Sequence, residues 1–235
     1  MKILSLECSA GPASAAVVED GEVRASLFLN CGLTHSVTLV PAVSHVLEMS
    51  RTELSDIDVC AVSAGPGSFT GVRIGISAVK GICYKDDIPC IGVSSLEAMS
   101  YNYAMSETDA LICSCMDARR SQVYTACFEC DGGKMKRLSP DEAIGIDTLG
   151  ENLKKYGKKV IFIGDGAHLC YNTLNNSSKM LYEAPQQLIY QNAVSVALCA
   201  RALLENTKPV PPRELMPFYL RAPQAERELN KRRNS

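Results

Sequence analysis

The segment that most constrains the fold is a glycine-rich stretch between a buried strand and a helix. Residues 65–75 are Gly-Pro-Gly-Ser-Phe-Thr-Gly-Val-Arg-Ile-Gly. The short apolar run before it, from Val59 to Ser63, predicts a buried strand, and we expect Thr70 to cap a helix from Gly71 to about Tyr84. A strand, a glycine turn and a helix in this order indicate a sheet that is covered by helices.

The same segment could bind an anion. Backbone N–H groups at a helix N-terminus attract negative charge, the hydroxyls of Ser68 and Thr70 could add hydrogen bonds, and Arg73 could add a cation. The glycine spacing, however, matches neither the P-loop nor the dinucleotide-binding pattern. A tight turn that lets the helix pack closely explains the glycines equally well.

The order of elements along the chain predicts an α/β fold. Three strands come first, at about Lys2–Cys8, Ala13–Glu19 and Glu22–Leu29, and Asp20-Gly21 favours a tight hairpin between the last two. A helix with Pro41 inside it follows, then strands alternating with helices, one of them capped by Ser95, and then a weaker second α/β unit. We expect a mixed sheet in each unit, a domain over residues 1–106, and a second over residues 107–235 with an extended proline-rich tail.

Small residues form a stripe along the helix after the glycine turn. Gly71, Gly75, Ala78 and Gly81 follow one another at steps of four, three and three residues, beside an apolar stripe of Val72, Ile76 and Val79. Glycine lowers helix stability by about 1 kcal/mol relative to alanine, so close approach of another backbone is the expected benefit. That backbone could belong to this chain or to a partner.

Charge and hydropathy exclude some classes of protein. The net charge is −2 and the pI about 6.0, which is unlike a nucleic-acid-binding protein with a basic patch. The basic run at 231–233 is interpreted as a solvated tail. No stretch approaches the roughly 20 apolar residues of a membrane span, and the first residues resemble a core strand, so we expect a cytoplasmic protein.

The chain contains eleven cysteines. Cys113 and Cys115, followed by Cys127 and Cys130, have a spacing similar to that of metal ligands. Both pairs fall in predicted strands, where packing in the core is favoured over a metal site.

No catalytic set emerges from the other residues. The three histidines, His35, His45 and His168, do not form a pair on one helix face. Glu7 and Ser9 end the first strand, and Asp117 ends a later one, where a carboxylate could bind a cation. We therefore predict no catalytic residue and no metal site.

The glycine segment resembles the signature of the TsaB family, formerly called YeaZ. Further segments that resemble the family occur in the expected order: Ile3–Ser9, Thr34-His35-Ser36, Leu39-Val40-Pro41, Ile91–Leu96, Met116–Arg119, Val123-Tyr124 and Phe218–Arg221. The resemblance spans essentially the whole chain. It implies the actin-like ATPase fold, also called the ribonuclease H-like fold, with two related lobes.

The resemblance also implies a function. TsaB proteins are related to TsaD, the catalytic subunit that installs threonylcarbamoyl on adenosine 37 of tRNA, and TsaD has a pair of metal-binding histidines that this sequence lacks. The family implies a non-catalytic scaffold that pairs with TsaD, helps recruit the ATPase TsaE, self-associates when alone and meets tRNA only through the complex. No cofactor of its own is expected, although ATP or ADP could lie at the contact with TsaD.

The family also suggests site residues. For the partner surface they are His35, Leu39, Val43, Gly71, Val72, Gly75, Ile76 and Val79. For a nucleotide or phosphate contact they are Glu7, Ser9, Gly65, Gly67, Ser68 and Arg73. The first strand ends in Glu7-Cys8-Ser9 where the family has Asp-Thr-Ser, which weakens the case for independent ATP chemistry. One alternative is a stand-alone kinase or ATPase of the same superfamily that uses the glycine loop, Glu7 and Asp117. The other is a peptidase, for which the sequence offers no nucleophile.

Overall fold

The computed structural model describes residues 1–104, 108–175 and 180–221. The strands are β1 Lys2–Glu7, β2 Ala13–Glu19, β3 Glu22–Leu29, β4 Val59–Gly65, β5 Cys90–Ser94, β6 Leu111–Asp117, β7 Gln122–Asp131, β8 Lys134–Arg137, β9 Glu142–Gly145, β10 Val160–Ile163 and β11 Leu181–Glu183. The α-helices are α1 His35–Met49, α2 Phe69–Cys83, α3 Ser95–Ser100, α4 Ile146–Lys154, α5 Ala167–Leu174, α6 Gln186–Ile189 and α7 Ala193–Leu203. The basic run at 231–233 lies outside these ranges.

The first sheet has the strand order β3-β2-β1-β4-β5. Its first three strands are antiparallel, and β4 and β5 are parallel to β1. Asp20 and Gly21 have φ values of +51° and +94° between the paired residues Glu19 and Glu22. This is the predicted two-residue hairpin, because both turn residues tolerate positive φ.

The second sheet repeats that arrangement. Its order is β11-β10-β6-β7-β8, with β9 paired to β7. Strands β6, β7 and β8 are antiparallel, and β10 and β11 run parallel to β6. Since β6 to β8 correspond to β1 to β3, and β10 and β11 to β4 and β5, the two halves have one topology. The actin-like fold class with two related lobes is confirmed.

Helices cover both faces of the first sheet. Helices α1 and α2 pack on one face, while α3 and α7 pack on the other, which shares a core with the second sheet. Helix α7 follows the second sheet in sequence but lies against β1 and β2 of the first. The division at residues 106 and 107 remains a prediction.

Two helix starts differ from the predicted ones. The hydroxyl of Ser68, and not that of Thr70, caps α2 by accepting from the amide of Gly71 at 3.2 Å. Similarly, Ser94 caps α3 in place of Ser95, by accepting from the amide of Glu97 at 3.2 Å. In both cases the helix begins earlier than predicted, because the cap must lie three residues before the amide it satisfies.

Several short elements were not predicted. Strands β9 and β11 have four and three residues, and α6 has four. Segments of this length contain too few repeats to show a periodicity. Helix α5, which begins directly after the glycines that follow β10, was also not predicted.

The predicted strand cysteines lie in the core of the second sheet. Cys113 faces Cys127 across β6 and β7, with their sulfur atoms 4.0 Å apart, and both are buried. No group of three or more metal-ligating side chains is placed to hold an ion in the ranges given above. No helix in those ranges is long and apolar enough to cross a membrane.

Close backbone approach explains the first glycines of α2. A Cβ atom at Gly71 would lie 2.1 Å from the carbonyl oxygen of Cys8, and one at Gly75 would lie 3.0 Å from the Cys8 sulfur. These two glycines let α2 pack against the end of β1. The choice left open by the sequence is therefore settled in favour of packing within the chain for Gly71 and Gly75. Gly81, by contrast, has no neighbour within 4 Å of a Cβ position.

The two ends of α2 should respond oppositely to the same substitution. We expect Gly71→Ala to lower the free energy of unfolding by about 2 kcal/mol, because the Cys8 carbonyl must move to admit the methyl group. Gly81→Ala, in open space on the same helix, should raise it by about 0.5–1 kcal/mol through helix propensity. Urea unfolding followed by circular dichroism measures both. Equal midpoints for the two variants would contradict the packing explanation.

Candidate functional site

A cleft of about 510 Å³ lies between the two sheets. Its lining comes from the segments that follow β1, β4, β6 and β10, together with residues of the C-terminal tail. Strand β4 is parallel to β1, and β10 is parallel to β6, so the carboxyl ends of each pair meet at one edge of their sheet. This edge is where open α/β sheets generally bind ligands.

Three of the predicted phosphate contacts line this cleft. They are Ser9, Gly67 and Ser68. The hydroxyl oxygen of Ser9 is buried and has no hydrogen-bond partner within the described part of the chain. The Ser9 hydroxyl therefore has unused hydrogen-bonding capacity, although it is not exposed in the cleft.

The other three predicted contacts do not line the cleft, and their placement corrects the predicted set. Gly65 lies beneath the C-terminal tail, where a Cβ atom would be 2.2 Å from the carbonyl oxygen of Phe218, and its φ is +120°. Arg73 lies on the outer side of α2, where its guanidinium stacks 3.8 Å from the centre of the Phe69 ring. Glu7 is fully buried.

The carboxylate of Glu7 stabilises the turn after β1 by hydrogen bonds. One carboxylate oxygen accepts from the amide of Ser9 at 2.5 Å, and the other accepts from the hydroxyl of Ser63. Burial raises the pKa of this carboxyl, although the bonds from Ser63 and Ser9 oppose the shift. Because both oxygens are bonded inside the protein, Glu7 does not face a ligand.

Two other carboxylates lie in the cleft. Asp117, at the end of β6, accepts from the amide of Arg119 at 2.7 Å. Asp165 follows β10, and its carboxylate accepts from the side-chain amide of Gln191 at 3.0 Å. Solvent reaches Asp165 from the cleft, yet the surrounding protein desolvates it and raises its pKa, and the negative charge of Asp117 acts in the same direction.

Sequence reasoning noted Asp117 but missed Asp165. The signal was present, since Asp165 lies between Gly164 and Gly166 directly after a buried strand. It also missed Tyr124 and Arg221, which line the cleft from β7 and from the tail. The two carboxylates of the cleft are of a type that binds a cation or a hydroxyl-bearing ligand, and neither pairs with a histidine.

All three histidines lie apart from the carboxylates of the cleft. The Nε2 atom of His35 donates to the carbonyl of Ala10 at 2.8 Å. His168 on α5 pairs with Glu183 at 3.1 Å, and His45 is exposed on α1. The chain has no other histidine, so it has no histidine pair that could hold a metal ion.

The residues predicted for the partner surface are mostly internal. Leu39, Val43, Val72, Ile76 and Val79 are buried in the core between the first sheet and helices α1 and α2. Their side chains are unavailable to a partner in this structure, which corrects that choice. Helices α1 and α2 each have apolar residues on two sides, and the side with more of them packs on the first sheet.

Different apolar residues of α1, and one in the segment just before it, are exposed. Leu33, Val37 and Val40 have 60%, 64% and 49% of their surface accessible. On the outer side of α2, Ile74, Ala78 and Ile82 are half-buried and Gly81 is exposed. Helices α1 and α2 pack side by side, so these residues belong to one surface, here called the α1/α2 face.

Comparison with known proteins agrees with the sequence resemblance. Residues 31–229 match the family model described as "TsaD: tRNA N6-adenosine threonylcarbamoyltransferase". The "tRNA threonylcarbamoyladenosine biosynthesis protein TsaB" of Bacillus subtilis (strain 168) is 34% identical over 72% of this chain and 73% of its own length. The protein of the same name from Escherichia coli (strain K12) is 32% identical over 71% of this chain and 72% of its own length.

Solved structures support the fold. An uncharacterized Pseudomonas aeruginosa protein with similarity to the peptidase YEAZ superimposes with a TM-score of 0.81 at 23% identity, covering 94% of this chain and 99% of that one. YeaZ from Pseudomonas aeruginosa gives a TM-score of 0.77 at 22% identity, covering 93% and 99%. The chain therefore belongs to the family that the TsaD model describes and, within it, to the TsaB proteins.

Proposed function

We propose that this chain is a non-catalytic subunit of the machinery that makes N6-threonylcarbamoyladenosine at position 37 of tRNA. The names of its relatives support a role in that biosynthesis. In this proposal the chain pairs with TsaD and serves as a scaffold. The observation that carries the proposal is the exposed α1/α2 face.

The α1/α2 face has the character of a surface that is buried on association. Leu33, Val37 and Val40 each have about half or more of their surface accessible. Val37 and Val40 are three residues apart on α1 and therefore share one side of that helix. Exposed apolar residues that occur singly are normal on a monomer, and neighbouring ones favour an interaction site. The small residues of α2, Ala78 and Gly81, would let a helix of the partner approach closely.

The cleft chemistry is consistent with a non-catalytic role. The carboxylate nearest the end of β1, Glu7, is bonded to Ser63 and Ser9 and does not face the cleft. A group that activates water or a metal ion should be free to contact it. We therefore place the chemistry in TsaD, with any ATP or ADP at the contact between the two chains.

The proposed pairing with TsaD suggests how the chain meets TsaE, tRNA and a second copy of itself. We propose that the pair with TsaD presents a joint surface that recruits the ATPase TsaE, and that tRNA meets this chain only through the complex. Without TsaD, the α1/α2 face would associate with the same face of a second copy, since a twofold interface uses one patch on both subunits. We also propose that the protein works in the cytoplasm, together with the tRNA-modifying complex.

The cleft favours one alternative, a stand-alone kinase or ATPase. Asp117 and Asp165 lie at its wall, and α2 directs its capped N-terminus toward it. Carboxylates and a helix N-terminus are the groups that hold a metal ion and a phosphate in such enzymes. The alternative requires turnover without any partner.

The scaffold proposal predicts a specific loss of TsaD binding. We expect Val40→Asp to raise the Kd for TsaD at least about thirtyfold, because a carboxylate would be desolvated at the interface at a cost of about 2 kcal/mol. Size-exclusion chromatography with light scattering detects the complex, and calorimetry gives the Kd.

Val23→Asp provides the matched control for that substitution. Val23 on β3 and Val40 on α1 are both 49% exposed, and only Val40 lies on the α1/α2 face. Thermal unfolding should show both variants folded. Unchanged TsaD binding by Val40→Asp, or an equal loss in Val23→Asp, would overturn the interface assignment, and a wild-type chain that forms no complex would overturn the proposed function.

The scaffold proposal also predicts that the isolated chain turns over no ATP. Phosphate release with Mg²⁺ should equal that of a protein-free sample, and Asp117→Ala should not change it. The Asp117→Ala variant identifies the source of any activity, since contaminating ATPases would not respond to it. Turnover by the wild type that falls at least about tenfold in Asp117→Ala would favour the kinase or ATPase instead.

A further inference from the structure

The C-terminal tail is fastened to the first sheet at several points. Val210 exchanges two backbone hydrogen bonds of 2.8 Å with Cys90 of β5. The carbonyl of Arg213 accepts from the ammonium group of Lys80 on α2 at 3.1 Å, and the side chain of Leu215 is buried. The amide of Phe218 donates to the carbonyl of Ala64 at 2.6 Å, so the tail passes over the end of β4.

The next tail residue contacts α2 through its ring and its hydroxyl. The ring of Tyr219 lies 4.7 Å from that of Phe69, and its hydroxyl accepts from Nε of Arg73 at 2.9 Å. The Arg73 guanidinium also lies over Phe69. Three side chains therefore hold the tail at the first-sheet side of the cleft.

Arg221 reaches the second sheet from the other side of the cleft. Its Nη1 atom donates to the carbonyl of Ala118 at 3.3 Å, and its Nη2 atom donates to the side-chain oxygen of Gln122 at 2.7 Å. Its guanidinium lies 5.5 Å from the centre of the Tyr124 ring. Residues 218–221, here called the strap, thus contact both sheets across the cleft.

Arg221 bonds to both sides of an unfavourable turn. Between Ala118 and Gln122, three consecutive residues, Arg119, Arg120 and Ser121, have φ values of +66°, +57° and +56°. Residues other than glycine rarely adopt this left-handed backbone conformation, and three such residues in a row are rarer still. Such a conformation persists only where the surroundings hold it.

Within the turn, two backbone bonds close the loop. The amide of Ala118 donates to the carbonyl of Gln122 at 3.0 Å, and the amide of Gln122 donates to that of Arg119 at 3.2 Å. The side chains of Arg119 and Arg120 are exposed, and Arg119 pairs with its neighbour Asp117. The carbonyl of Ser121 also accepts from the amide of Ile146 at 3.3 Å, and Gln122 pairs with Gly145 of β9. Arg221 adds the bond that ties Ala118, on the other side of the turn, to a distant part of the chain.

We propose that the strap is a conformational clamp. By bonding to Ala118 and Gln122 at once, Arg221 holds the 118–122 turn in its left-handed form, and this form fixes Asp117 and Arg119 at the cleft wall. When the strap lifts, the turn relaxes and the cleft loses its bridge between the sheets. This inference concerns the chain alone and is independent of the proposed function.

Hydrogen exchange with mass spectrometry tests the clamp in the full chain. In Arg221→Ala, the amides of residues 117–124 should exchange about tenfold faster than in the wild type, while those of α2 stay within about twofold. Arg213→Ala is the matched control, because it removes an arginine from the same tail. Among the described residues the Arg213 side chain pairs with the adjacent Glu214 alone, so the substitution should leave residues 117–124 protected. Unchanged exchange of these residues in Arg221→Ala overturns the proposal, and so does faster exchange throughout an Arg221→Ala chain that circular dichroism shows to be folded.

Two further variants separate the clamp from a general loss of structure. Gln122→Ala removes the shorter Arg221 bond from the side of the turn, and it should also speed exchange of residues 117–124 if Arg221→Ala does not fold. Adding Arg120→Gly to Arg221→Ala should restore at least half of the lost protection on a logarithmic scale, because glycine adopts positive φ without strain. Failure of the glycine to restore protection shows that the strap does not act through the turn and overturns the proposal.

Discussion

The packing of α2 against the end of β1 determines the geometry on which the rest of the structure depends. At Gly71 the helix comes so close to the carbonyl of Cys8 that no side chain fits. This contact fixes where α2 begins, and so it fixes Ser68 and the glycine loop before the helix. The loop in turn forms one wall of the cleft, and the missing side chain at Gly65 leaves the space in which the backbone of Phe218 lies.

Local sequence patterns predicted the first half of the fold well. Alternation and the Asp20-Gly21 turn are local signals, and they define β1 to β3 without information from distant residues. The second half was less clear because β9 and β11 are too short to show a period. The face of each helix could not be assigned either, because α1 has both Leu39 and Val40, of which the structure buries the first and exposes the second.

The candidate site was predicted only in part, for a related reason. Ser9, Gly67 and Ser68 belong to motifs that are contiguous in sequence, and they do line the cleft. Arg221 reaches the cleft by a contact with Gln122, 99 residues earlier, and no local pattern encodes it. The carboxylate of Glu7 suggested a ligand for a cation. Its burial and its hydrogen bonds from Ser9 and Ser63 depend on how the strands pack, which the sequence alone did not show.

The strap and the α1/α2 face meet on one helix. Arg73 and Phe69, which hold Tyr219, are part of α2, and the outer residues of α2 belong to the α1/α2 face. A partner that bound more tightly to one position of α2 would shift the equilibrium between the closed and the lifted strap by the ratio of its affinities for the two states. By thermodynamic linkage, closing or lifting the strap would change the affinity for the partner by that same ratio. The tail therefore offers a physical route by which the turn at Asp117, on the second sheet, and a surface on the first could influence each other.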